Sequence, residues 1–344
     1  MFYFLPFGLA LILALIFTPL VKRVAEILKI VDLPNPRKIH QKPVALLGGW
    51  AVFSAFSLAL IIFWALGFIA DVKISSIYLL AILIAGAILM LGGFLDDRFN
   101  LLPWQQLIFP ILAIFAVLIS GVKITYITSP FGGILAFSPV LGAIMAFFWL
   151  LGMIYTTKFL DGLDGLVAGV TVIGSLIIFA VSLYWDVPSS GTSVLALILA
   201  GACFGFLFFN WHPAKIFLGE SGSVFCGFML GILAIISGSK IATALLILGV
   251  PILDVLWVIG RRLWQGKSPA RADNKHLHFR LLDIGLSQRQ AVLFLYALTA
   301  AFGLTSLFLS TSGKLMALAF LAIFMAVLAG GLVLVYKIKL NKRK

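Results

Sequence analysis

The sequence predicts an all-α polytopic integral membrane protein, one domain over residues 1–344 with about eleven transmembrane helices. Three observations lead there. Hydrophobic residues make up 62% of the chain and charged ones only 11%, a balance that a water-soluble domain could not carry without exposing large apolar patches. Apolar runs of about 20 residues, the helical length that crosses roughly 30 Å of hydrocarbon, recur along the chain with short breaks. The cations, finally, are segregated by side.

The runs fall at 2–21, 46–70, 74–95, 103–120, 139–156, 166–185, 192–209, 224–237, 241–260, 291–310 and 315–336. The first is too long for a removable signal peptide and lacks its charged start and small-residue cleavage site, so it reads as a retained span. If the loops alternate sides, 21 of the 25 Lys and Arg share one side: Lys22, Arg23, Lys29, Arg37, Lys38, Lys42, Arg98, Lys158, Lys215, seven between Arg261 and Arg289, and five at the C-terminus. Only Lys73, Lys123, Lys240 and Lys314 fall on the other. The positive-inside rule makes the rich side cytoplasmic, with the N-terminus outside and the C-terminus inside. The cytoplasmic loops are then about 22–45, 96–102, 157–165, 210–223 and 261–290. A net charge of +13 is thereby a topology signal plus attraction for anionic headgroups; membrane lipids are the expected partner and nucleic acid is not. Cys203 and Cys226 lie inside apolar runs without metal-ligand spacing and read as small core residues.

The acids are less expected. Glu26, Asp32, Asp96, Asp97, Asp161, Asp164, Glu220, Asp273 and Asp283 all fall on the cytoplasmic side, as do His40, His212, His276 and His278. A transport path scatters polar groups through the bilayer, whereas these gather at one interface and predict a cleft with chemistry on the cytoplasmic face. Asp254 stands apart, within a span. It lies about two turns inside the ninth run, either as a functional acid or as a structural hydrogen-bonding group.

Five segments supply that face. The third run ends Gly92-Gly93-Phe94-Leu95-Asp96-Asp97-Arg98, and two adjacent carboxylates need a shared cation such as a divalent metal, a lysine or a metal-bound phosphate; a solvated Asp pair is the plain alternative. The fifth runs into Lys158-Phe159-Leu160-Asp161-Gly162-Leu163-Asp164-Gly165. If helical, Asp161 and Asp164 at i and i+3 share a face; otherwise this is a Gly-Asp turn. Asn210 to Ser223 mixes an amide, acid and aromatics, and Phe217 could stack on a base. In the 261–290 loop, Arg271, His276 and His278 stand among cations that could cradle a diphosphate. The first loop, Pro34 to Pro43 followed by Gly48-Gly49, is basic and too proline-rich to be helical, and Lys42 could meet a lipid phosphate.

Taken in order, Pro36-Arg37-Lys38-Ile39-His40-Gln41-Lys42-Pro43, Gly93-Phe94-Leu95-Asp96-Asp97-Arg98, Asp161-Gly162-Leu163-Asp164-Gly165, Phe217-Leu218-Gly219-Glu220-Ser221-Gly222-Ser223, and Arg271-Ala272-Asp273 with His276-Leu277-His278 resemble the motifs of the polyprenyl-phosphate N-acetylhexosamine-1-phosphate transferases. The likeness spans nearly the whole chain. It implies an enzyme of the bacterial plasma membrane that moves a sugar-1-phosphate from a UDP-N-acetylhexosamine donor to undecaprenyl phosphate and releases UMP, with Mg²⁺ as cofactor or Mn²⁺ in its place. It further implies that Asp96 and Asp97 lie at the acceptor and metal region, that Asp161 and Asp164 form the nucleotide and catalytic pocket, and that Glu220 is the metal ligand. Lys42 would contact phosphate, Asn210 would belong to the cleft, Phe217 would stack on uracil, and Arg271, His276 and His278 would meet the donor diphosphate.

Four positions depart from the family pattern. Glu220 stands where Asp is usual, Lys158 where Asn is usual, Asn100 where Asp or Lys is usual, and Phe279 where a third His is usual. A protonated lysine cannot ligate a metal, so Lys158 either replaces part of the metal's charge or marks a repurposed site. A phosphate monoester acceptor is largely dianionic at neutral pH, so the expected role of Lys42, Lys158, His276 and His278 is a positive field that lets two anions meet, with Asp96 or Asp97 orienting rather than acting as an indispensable base. The competing readings are a phospho-MurNAc-pentapeptide transferase, a membrane transporter and an inactive family member; a homodimer is among the assemblies allowed.

Overall fold

The computed structural model describes residues 3–34, 42–69, 74–129, 132–185, 191–237, 240–266 and 276–341. In chain order it holds α1 (Phe4–Ile27), a two-stranded hairpin of β1 (Val31–Asp32) and β2 (Val44–Ala45), α2 (Gly48–Ala65), α3 (Ser76–Phe99) and α4 (Pro103–Ile119). A second antiparallel hairpin, β3 (Tyr126–Thr128) and β4 (Ile134–Ala136), leads to α5 (Pro139–Leu160), α6 (Leu166–Trp185), α7 (Gly191–Asn210) and α8 (Gly219–Ile236). Then come α9 (Ile241–Ile247), α10 (Gly249–Trp264), the short α11 (Leu277–Asp283), α12 (Gln288–Phe308) and α13 (Thr311–Asn341).

Every predicted apolar run is helical, and the protein is an all-α polytopic membrane protein. Among the described residues nine helices are long and apolar enough to cross a bilayer individually; α9 and α10 meet that test only together and are bent by 76°, and α4 falls short of it. The count of eleven therefore rests on one broken and one short element. Helix ends follow local chemistry. Asn100, at φ 52°, stops α3 in a left-handed conformation that Asn tolerates better than most residues. Ser138 and Pro139 start α5, with the Ser hydroxyl accepting from Leu141 N–H at 3.3 Å. Ser287 and Gln290 form a capping box at α12.

α8 is the axis of the bundle. Every residue from Ser221 to Ile235 is buried, and the helix packs on α2, α3, α5, α6, α7 and α9. Its first turn is reached through contacts too close for any side chain. A Cβ on Gly49 would lie 2.2 Å from the backbone nitrogen of Gly222, and one on Gly93 would lie 2.2 Å from that of Ser221. The loop before α8 adds backbone bonds, Gly48 N–H to Phe217 O at 3.0 Å and Gly49 N–H to Leu218 O at 2.7 Å.

The same end of the bundle collects the far end of α1, where Leu28 O accepts from Arg98, and the start of α12, where Arg289 donates to His212 O. Odd-numbered helices up to α7 finish there and even-numbered ones up to α8 begin there, as the alternating loops require.

Gly93→Ala is expected to destabilise the protein by about 1–3 kcal/mol, the usual range for overpacking. Gly152→Ala, at a helical glycine with nothing within 4 Å, should leave stability unchanged or slightly raised. Thermal unfolding of both variants in detergent checks the contrast.

Candidate active site

The close approach of α3 and α8 brings their acids together. Asp97 Oδ1 accepts from the backbone N–H of Glu220 at 3.3 Å, so a carboxylate sits on the first turn of α8, where the helix dipole favours it. Its other oxygen, Oδ2, is enclosed and has no hydrogen-bond partner. Gly219 leaves room for it: a Cβ there would lie 2.8 Å from Oδ2.

Into this acid cluster α5 extends a single cation. Lys158 Nζ pairs with Glu220 Oε1 and also donates to Gln106 Oε1 at 2.8 Å. Gln106 in turn donates to Asp96 Oδ1 at 2.9 Å, and the same oxygen accepts from Leu101 N–H at 2.8 Å. The chain Asp96, Gln106, Lys158, Glu220 thus runs across α3, α4, α5 and α8, beside a small cleft lined by Gly92, Gly93, Asp96, Gln106 and Glu220.

The Asp-Gly segment is a turn. α5 ends at Leu160, and Asp161 leaves it at φ −75°, ψ 63°, so Asp161 and Asp164 do not share a helical face as an unbroken helix would have given; the glycine-rich stretch ends the helix first. Asp164 Oδ2 meets His212 Nδ1 at 2.7 Å and accepts from Ala214 N–H at 3.1 Å. Asn210, buried at the end of α7, accepts from Gly165 N–H and donates to Ile216 O, both at 3.0 Å. These bonds fasten the turn to the loop before α8.

Asp161 is exposed at the mouth of the site. Desolvation first, then the charges of Glu220 and Asp164, push its carboxyl up to about 8.

His276 and His278 stand at the re-entry of the 261–290 loop. His276 Nδ1 lies 2.8 Å from Asp254 Oδ2, and its ring is parallel to that of His278, 5.6 Å away. His278 is buried against Gly162, where a Cβ would come within 2.2 Å of its Nε2. Burial, and secondarily His276, push His278 down to about 3. It is therefore neutral at physiological pH and contributes no charge to the positive field expected of it.

Lys42 is exposed two residues before β2, and Phe217 is half-buried beside the α2 junction, its N–H donating to Ala45 O at 2.9 Å. Arg271 lies outside the described residues. Gln106 carries no charge-cluster or motif signal, Arg289 stands in the sequence only as one of the cations of the 261–290 loop, and nothing there pairs Asp254 with His276.

The metal expectation meets a mixed site. Among the described residues no three His, Cys, Asp or Glu side chains converge as a preformed cage, and Glu220 already holds an ammonium. Mg²⁺ commonly binds through one or two carboxylates plus substrate phosphates, and the unpartnered Asp97 Oδ2 fits that mode.

Carboxylates gathered around Lys158 at one end of the bundle suit a membrane enzyme better than a scaffold. Residues 79–238 match the family described as glycosyl transferase family 4. The chain is 33% identical, over 94% of its length and 90% of the relative's, to a Bacillus subtilis (strain 168) protein named "Probable undecaprenyl-phosphate N-acetylglucosaminyl 1-phosphate transferase". It is 33% identical to the decaprenyl-phosphate N-acetylglucosaminephosphotransferase of Mycolicibacterium smegmatis (strain ATCC 700084 / mc(2)155), over 76% of this chain and 71% of that one. Identity to the undecaprenyl-phosphate alpha-N-acetylglucosaminyl 1-phosphate transferase of Escherichia coli (strain K12) is 27%, over 78% and 74%. The chain belongs to the polyprenyl-phosphate N-acetylglucosamine-1-phosphate transferase family.

Removing one member of the Lys158–Glu220 pair, whose side chains are 15% and 19% exposed, leaves an enclosed charge. Lys158→Met is expected to cost about 2–3 kcal/mol, below the range for fully buried pairs, and Lys158→Met with Glu220→Gln should recover most of it; unfolding midpoints of the singles and the double close the cycle. Asp161 gives a pH signature. Its folded pKa of about 8 lies above the ordinary carboxylate range, so the folded state binds more protons and stability falls as pH rises from that range through the folded value. Asp161→Asn should raise the melting temperature more at pH 9 than at pH 5.

Proposed function

We propose that the protein transfers N-acetylhexosamine-1-phosphate from its UDP-sugar to undecaprenyl phosphate on the cytoplasmic face of a bacterial plasma membrane, with eleven crossings and a divalent metal. The convergence of Asp97, Lys158 and Glu220 from three separate helices, in a chain of this family, is the observation that carries the reading.

In the reaction an oxygen of the lipid phosphate attacks the phosphorus bonded to the sugar. The P–O bond to the uridine phosphate breaks, and UMP leaves with that bond's electrons. Both reactants are anions, so catalysis is chiefly positioning and relief of repulsion. Lys158 supplies a fixed positive charge, held in place by Glu220 and Gln106. Asp97, with Asp161 as its acidic neighbour, would hold Mg²⁺ or Mn²⁺, which would supply charge neutralisation on the phosphates. Asp164 and Asn210 hold the turn that carries Asp161. Lys42, Phe217 and Arg271 remain the proposed contacts for lipid phosphate, uracil and diphosphate.

Purified protein given UDP-N-acetylglucosamine and undecaprenyl phosphate should release UMP and stop when the metal is chelated. Asp97→Asn should lose about a hundredfold or more, the scale of removing one preorganised electrostatic group. Metal-independent turnover, or full activity in Asp97→Asn, would contradict the scheme; equal turnover on a panel of UDP-sugars would contradict the N-acetylhexosamine assignment.

A further inference from the structure

Asp254 stands in the second turn of α10, just past the 76° break, and no step above uses it. It makes two contacts with the loop as it re-enters the bundle: Oδ2 to His276 Nδ1 at 2.8 Å, and Oδ1 accepting from Leu277 N–H at 2.9 Å. The side chains are nearly enclosed, 13% exposed for Asp254 and 9% for His276. The His276 ring is nearly parallel to that of Phe159, 6.0 Å away, and parallel to that of His278, 5.6 Å away.

An ionised carboxylate only accepts hydrogen bonds. His276 must then carry its proton on Nδ1, and Nε2 is the ring nitrogen left for a ligand. The second contact fixes the backbone at the residue that follows, so ring orientation and loop position are set by one side chain. This is the arrangement by which a carboxylate orients a working imidazole in other enzymes.

We propose that Asp254 is a positioning residue for the donor: it locks the tautomer and direction of His276 so that Nε2 faces the diphosphate of the sugar nucleotide. The proposal rests on the transferase reading. It also gives the broken span a purpose, since the bend carries α10 to the level where the loop returns.

Asp254→Asn separates this role from a structural one. An amide can still accept from Leu277 N–H, but its NH₂ group donates to His276 Nδ1 and forces the proton onto Nε2. The chain has only four histidines, so ¹⁵N-histidine spectra of the whole protein in detergent resolve the tautomer directly. The wild type should show His276 protonated at Nδ1, with its Nε2 resonance shifting on addition of UDP-N-acetylglucosamine. Asp254→Asn should reverse the tautomer, unfold at nearly the wild-type temperature, and raise the donor KM about tenfold, the low end for losing a partner that orients a histidine, with a smaller change in kcat. A wild-type His276 unprotonated at Nδ1, a donor that leaves its resonance unmoved, or an unchanged KM in Asp254→Asn would overturn the proposal. The donor-induced shift needs no turnover, so protein that shows it yet releases no UMP counts against the transferase reading alone.

Discussion

Everything at the site depends on how closely three helix backbones approach. Glycines on α2, α3 and α8 let Gly49 meet Gly222 and Gly93 meet Ser221 with no side chain between them. That contact sets the first turn of α8 between the end of α3 and the start of α2. Glu220 is thereby placed against Asp97, and the loop before α8 is tied to β2 and α2 by backbone bonds. A methyl group at either crossing would meet a backbone nitrogen of α8, that of Gly222 or Ser221, at 2.2 Å and force the helices apart.

The cost of that placement is electrostatic. Asp96, Asp97, Asp161 and Glu220 lie near enough to repel one another, and like charges in a partly dry site are held only with a counter-charge. Lys158 is one such charge and spreads its hydrogen bonds over Glu220 and Gln106. An ion pair of this kind adds little to net stability once desolvation is counted. Its value lies in fixing an ammonium at a defined point of the cleft, while Asp97 Oδ2 is left as the atom that still calls for a cation.

The fold was largely legible in the sequence because burial in lipid imposes length and apolarity on each span. The runs matched helices down to a few residues, and the face shared by the acids followed from the alternation of loops. Two features were hidden. The break at Leu248 falls in an apolar stretch where hydropathy carries no signal for a bend, and only Gly249 and Pro251 mark it. The stop of α5 at Leu160 was masked by the i, i+3 spacing of Asp161 and Asp164, which suits a helix as well as the turn that the glycines impose. In the site, clustered acids announced themselves, whereas pairings did not. Asp254 lies 22 residues from His276, and Gln106 is an ordinary polar residue whose place between Asp96 and Lys158 follows only from packing. His278 looked like a cation by type and is neutral through burial.

Side-specific labelling tests the shared face most directly. In a variant lacking Cys203 and Cys226, single cysteines at the exposed positions Arg98, Asp161, Lys215 and Gln290 lie at the site end, and those at Ser75 and Ser312 at the other. A membrane-impermeant maleimide should modify the first four only in inside-out vesicles and the last two only in right-side-out ones. Labelling of Arg98, Asp161 and Lys215 from different sides would contradict the account.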